Sequence, residues 1–162
     1  MALTSYPVSP LFWNSCKRKK WDEFTKNLAL YFLTCRHRNL EGLYHLPKLY
    51  MASDNGWTLE QLSRPFQTIL EDGFVMFDEE VEVILLPKAL SFYAPKSDNQ
   101  IKGAKAALSL VPDTALWPHF LRAAKTYAEA FYNELGGDEE LALFETDPTH
   151  TDTHSEGLIE AA

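Results

Sequence analysis

Cysteine is scarce in this chain of 162 residues. Only Cys16 and Cys35 occur, in no CxxC pair, which argues against a disulfide framework or a zinc knuckle and fits a reducing compartment. No apolar run approaches the roughly 20 residues that span a bilayer. The opening "MALTSYPVSPLFW" lacks the basic start and long apolar run of a secretion signal. The expected protein is therefore soluble and cytoplasmic, with no membrane partner. The sequence also has no P-loop, no GxSxG elbow and no pair of carboxylates that periodicity would place in one cleft, so neither an enzyme nor a cofactor or small-molecule substrate is expected. His37 and His45 lack Cys or carboxylate partners at ligand spacing. His150 and His154, near Asp147 and Asp152, fall in a stretch with no fixed helix expected to align them, so no metal site is expected either.

Positive charge is missing from one part of the chain. The formal net charge is −8, but residues 1–105 carry 13 Lys+Arg against 12 Asp+Glu, whereas residues 106–162 carry 2 against 11. The acidity thus belongs to the second part, and the first part keeps enough cations to meet a polyanion.

Apolar residues at Phe24, Leu28, Tyr31, Phe32 and Cys35 keep a three-and-four spacing and predict a helix starting near Trp21. "GLYHLP" (Gly42 to Pro47) alternates like a short strand. A second helix is expected from Pro47 to about Asp54, stopped by Asn55-Gly56. Thr58 and Gln61 form a capping box for a third helix carrying Leu62, Phe66, Ile69 and Leu70, with a kink expected at Pro65 and a stop at Asp72-Gly73. Phe74 to Phe77 and Val81 to Leu86 read as a hairpin linked by Asp78-Glu79-Glu80. Helix, strand, helix, helix, hairpin is the order of a winged helix-turn-helix with a small β-hairpin wing, so the fold class expected is mainly α.

Beyond "SFYAPKSDNQ" (Ser91 to Gln100), a helix is expected from Asn99 to Leu110, interrupted by "VPDT", and then a longer one over 114–135. From Asp138 onward the chain has no Lys or Arg and few large apolar groups, and disorder is expected. The exception is "DEELALFE" (Asp138 to Glu145), which could fold against a partner. Residues 12–95 are thus read as the winged domain, 96–137 as a helical extension and 138–162 as an acidic tail.

"FWNSCKRKKW", "LYFLTCRHRNLEGLYHLP", "LEDGFVMFDEEVEVILLPKAL" and "SDNQIKGAKAAL…VPDTALWPHFL" resemble, in order and spacing, the N-terminal half of phage and prophage replication proteins of the DnaD-like replisome-organiser kind. The similarity covers roughly Phe12 to Leu121. It implies a winged helix used in initiating or organising replication, through self-association as well as DNA contact, with replication proteins as partners.

In a helix-turn-helix the outer face of the third helix enters the major groove. Here that face carries Gln61, Arg64, Gln67 and Thr68, and Arg and Gln suit guanine and adenine edges. Phosphate contacts are expected from Lys48, at the start of the second helix, and from Lys17, Arg18, Lys19, Lys20, Arg36 and Arg38. The acidic link between the hairpin strands should be held away from phosphates. Trp117, Phe120, Tyr127 and Phe131 line one side of the 114–135 helix and are read as an oligomer interface rather than a ligand pocket. The functional expectation is a DNA-binding and assembly protein, on duplex or single strands. The alternatives are a winged-helix transcriptional regulator and a protein-interaction module without direct DNA contact.

Overall fold

A computed structural model describes residues 5–146. Helices α1 (Phe12–Arg18) and α2 (Glu23–Thr34) lead to strand β1 (Leu43–His45). Helices α3 (Lys48–Asn55) and α4 (Leu59–Asp72) follow, and then β2 (Met76–Asp78) and β3 (Val83–Leu85). The chain continues through α5 (Ala89–Phe92), α6 (Asp98–Leu108), α7 (Trp117–Tyr127), α8 (Glu129–Glu134) and α9 (Gly137–Thr146). The protein is mainly helical, with one small antiparallel sheet of order β1-β3-β2.

Local chemistry accounts for most boundaries. Asp22 caps α2 by accepting from the Thr25 amide at 2.8 Å. Thr58 and Gln61 close a reciprocal capping box on α4, and Ser97 and Gln100 do the same on α6, with the cap two residues before the expected Asn99. Gly56 and Gly73 end α3 and α4 in the left-handed conformation. Helix α4 runs unbroken from Leu59 to Asp72 with Pro65 inside it, and the proline is buried.

The central strand is covered on both faces. Tyr44 and Ile84 point into one core with Leu28, Phe32, Met51, Leu62 and Ile69, while Leu43, Val83 and Leu85 point into a second with Ile101, Leu108, Phe120 and Phe131. A strand buried on both sides reads as a continuous apolar run, which is what Val83-Ile84-Leu85-Leu86 is. The sheet is therefore a shared wall between α2–α4 and α6–α8.

Several expectations change in the C-terminal part. The 114–135 helix is two helices, because Ala128 leaves helical dihedrals (φ −146°, ψ 59°). That turn brings Phe131 edge-on to Phe120, ring centroids 6.4 Å apart. Phe120 and Phe131 are fully buried within one chain, so they are core rather than oligomer interface. The segment Asp138 to Glu145, the exception in the stretch expected to be disordered, lies in α9, which packs on α7 and α8 of its own chain rather than on a partner. Its acidic groups find partners in this same chain: Asp138 accepts from Tyr132 at 2.8 Å and Lys125 at 3.2 Å, and Glu140 accepts from the Trp117 indole at 3.2 Å. The remainder of the expected tail, 147–162, lies outside the described residues.

Gly42 sits where α2 hands over to β1. Its φ is +80°, and a Cβ there would stand 2.3 Å from the Ala89 Cβ. Gly42→Ala should destabilise by more than about 2 kcal/mol, combining the left-handed backbone penalty with overpacking. Urea unfolding should show Ala89→Gly recovering the packing part of that loss and leaving the backbone part.

Candidate nucleic-acid interface

Helix α4 turns Leu62, Phe66 and Ile69 inward and leaves Gln61, Arg64 and Gln67 exposed, with Thr68 half-exposed. The predicted reading face thus exists as a continuous strip, but each member already has an internal partner. The Gln61 carbonyl oxygen accepts from the Thr58 amide at 2.9 Å, leaving its NH2 free to donate. Gln67 donates to Glu71 at 2.9 Å, and the Thr68 hydroxyl donates back to the Arg64 carbonyl at 3.1 Å. Arg64 pairs with Asp22, the α2 cap, while 78% of its side chain stays exposed.

The cations sort into three groups. Lys48 donates to both carboxylate oxygens of Glu79 at 2.7 and 2.6 Å, and Lys19 pairs with Asp72 while its ammonium lies 4.7 Å from the Trp21 ring centroid. These two are neutralised within the chain. Lys17, Arg18 and Lys20 are exposed at the end of α1 and carry no ion pair among the described residues; Arg36 is 80% exposed with Asp54 at 4.0 Å. Of the cations that the sequence singled out, these four are the ones most open to a polyanion. Arg38 is only 7% exposed; it donates to the Leu33 carbonyl at 2.5 Å and lies against the Tyr6 ring. It is buried rather than offered on the surface, so its expected role as a phosphate contact is corrected.

The hairpin differs from expectation in its bounds and in its ties. Asp78 belongs to β2, pairing with Val83, so the turn is Glu79 to Glu82. Glu82 takes φ +52°; its carbonyl accepts from Leu46 at 2.8 Å and its carboxylate accepts from the Lys48 amide at 3.1 Å. The turn therefore caps α3, whose N-cap Pro47 offers no side-chain oxygen. On the other side, Asp78 accepts from the Thr114 hydroxyl at 2.6 Å and the Ala115 amide at 2.9 Å. Of the acidic group, Glu80 alone makes no side-chain hydrogen bond or ion pair among the described residues.

The sequence reading assigned none of Asp22, Asp72, Glu79 and Glu82 as a partner of these groups. An N-cap aspartate before an amphipathic helix is a readable signal for Asp22; the others partner residues 31 to 53 positions away, beyond the reach of any periodicity. Among the described residues no group of three His, Cys, Asp or Glu side chains gathers to hold a metal, and no helix is long and apolar enough to cross a membrane. Comparison with protein-family models, curated proteins and solved structures gives no significant match.

Asp78 supplies a pH test of the anchored hairpin. Burial raises its pKa, but bonds from Thr114, Ala115, Glu80 and Val81 outweigh burial and hold the carboxyl below its usual range. Its stabilising contribution should be complete above the unfolded-state value of about 4 and fade as pH falls through the depressed folded value. Asp78→Ala should cost about 1–3 kcal/mol near neutrality. In urea titrations at stepped pH, the gap between wild type and variant should narrow on acidification.

Proposed function

We propose that the protein is a DNA-binding and assembly factor whose first part, residues 12–95, is a winged helix-turn-helix of the DnaD-like replication kind. The observation that carries this reading is topological. The β2–β3 hairpin folds back to pair with β1, the strand preceding α3, and α4 then packs on α2 and α3 with its outer strip in solvent. This is the layout in which a third helix is offered to a groove.

On this reading Arg64, Gln61, Gln67 and Thr68 supply sequence preference, and Lys17, Arg18, Lys20 and Arg36 supply phosphate contacts. Lys48 joins them only when Glu79 lets go. Self-association belongs to the same proposal, with the exposed Tyr127 and the half-buried Trp117 as the aromatic groups still available to a neighbour. Replication proteins are the partners the resemblance suggests.

A second reading is favoured by the ion pairs themselves. Arg64, Lys19 and Lys48 each carry a carboxylate partner, as they would in a protein-interaction module with no call on DNA. A transcriptional regulator, the remaining alternative, would show sequence-selective duplex binding at physiological salt.

Fluorescence anisotropy with duplex and single-stranded oligonucleotides across a salt series separates these readings. We expect binding at low salt that is lost in Lys17→Glu/Arg18→Glu/Lys20→Glu and weakened in Arg64→Glu. Glu79→Gln should bind more tightly, with a salt slope steeper by roughly one unit, because it frees one cation for a phosphate. The pair it breaks is a surface pair, so the same variant should lose no more than about 1 kcal/mol of stability. Absence of binding at low salt, or indifference to the triple substitution, would leave the interaction module as the reading.

A further inference from the structure

A cleft of about 450 Å³ opens between the loop joining α2 to β1 and the segment running from Tyr93 into α6. Its wall holds two charged side chains that are more than nine-tenths buried, Arg38 at 7% and Glu41 at 5% exposed. They stand three residues apart, yet no ion pair joins them among the described residues. Arg38 is committed elsewhere: it donates to the Leu33 carbonyl, its guanidinium lies 4.9 Å from the Tyr6 ring centroid, and its Nε is sealed without an acceptor. The Glu41 carboxylate meets only its own backbone amide, and burial raises its pKa by more than Arg38 lowers it. Arg38 therefore leaves that carboxylate short of positive charge.

Several other polar groups at the cleft are engaged, and the Tyr93 hydroxyl and the Gln100 NH2 add neutral polar atoms to its lining. Both ends of the Asn39 amide bond the backbone, at Gly42 and Leu43, and the Gln100 oxygen caps the start of α6. The orphaned Arg38 Nε is closed off from solvent, so that atom offers an anion nothing. What the wall offers is one under-compensated carboxylate beside apolar surface from Leu40, Tyr93, Pro95, Ala104 and Ala107. The floor is open at Gly103, where an added Cβ would meet nothing within 4 Å.

We propose that this cleft binds a compact organic cation, an ammonium or amidinium group on a small apolar body. The charged end would lie against Glu41 and the body along Tyr93, Pro95 and Ala107. The volume suits such a ligand, since small-molecule sites begin at about 300 Å³. Nothing in this assignment depends on DNA binding, and the cleft uses none of the residues of the α4 strip.

The test is an amide NMR titration of the full chain with benzylammonium, with benzyl alcohol and benzoate as the neutral and anionic controls. Saturable shifts should appear at residues 39–42, 93–94 and 100–107 with benzylammonium. The two controls should bind about tenfold more weakly or not at all, the value of one charge-assisted hydrogen bond. Glu41→Gln should reduce benzylammonium binding to the level of benzyl alcohol. Gly103→Leu grows into open space at a helical position with ordinary φ, so it should keep the fold, leave amides far from the cleft unshifted and abolish binding. Equal affinity for all three compounds, no saturable shift, or binding that survives Gly103→Leu would overturn the proposal.

Discussion

The interaction on which the molecule turns is the burial of β3 on both faces. A three-residue strand is a weak element alone, and two strands joined by a turn are marginal in water. Here Ile84 is locked into one core and Val83 and Leu85 into the other, with β1 and β2 on either edge. Register cannot slip, because a one-residue shift would exchange the two sets of side chains between cores of different shape. The helices on either side are therefore positioned by a common wall. The same wall gives the aromatic side of α7 something to cover, which removes the need for a second subunit at Phe120 and Phe131.

From that wall the hairpin inherits its stiffness, and its charges gain their purpose. Asp78 is tied to Thr114 and Ala115, Glu82 caps α3 and Glu79 holds Lys48. An acidic turn is a poor visitor to a phosphate backbone, but it makes a good fastener between elements that present bare amides and an ammonium. Each bond is modest, since several are exposed to solvent. Together they fix the distance between α3 and the hairpin, and so the angle at which α4 faces outward.

How much of this was legible follows the range of the physics involved. Caps and stops act over three or four residues, so Thr58/Gln61, Gly56 and Gly73 could be read directly. Helix α1 lacks a side-chain cap, because Leu11 offers none, and nothing local announced it. The apolar run of β3 was visible, but that it meant a second core rather than a solvated face depends on helices that follow much later in the chain, from Ile101 to Tyr132. The candidate face on α4 was found from periodicity. Its ion pairs were not, and the burial of Arg38 was hidden because it is made by Tyr6, which covers it from 32 residues away. The acidic segment from Asp138 was expected to fold against a partner; Tyr132, Lys125 and Trp117 of the same chain are partners that composition does not weigh.

Those ion pairs also set what the proposed interface can achieve. A cation already paired with a carboxylate gains little by exchanging it for a phosphate, because the displaced carboxylate stays nearby and repels the same backbone. On the proposed reading affinity would come from Lys17, Arg18 and Lys20, which hold no ion pair among the described residues, and from Arg36, whose Asp54 partner stands 4.0 Å away, a short and salt-sensitive set of contacts. A single copy would hold DNA weakly. Several copies brought side by side would hold it much more firmly without any new contact, since each further engagement is intramolecular once the first is made. On the proposed reading, weak single-site binding joined to assembly would let the protein load along DNA and still be cleared from it, a regime to which the charges that the chain neutralises itself would lead.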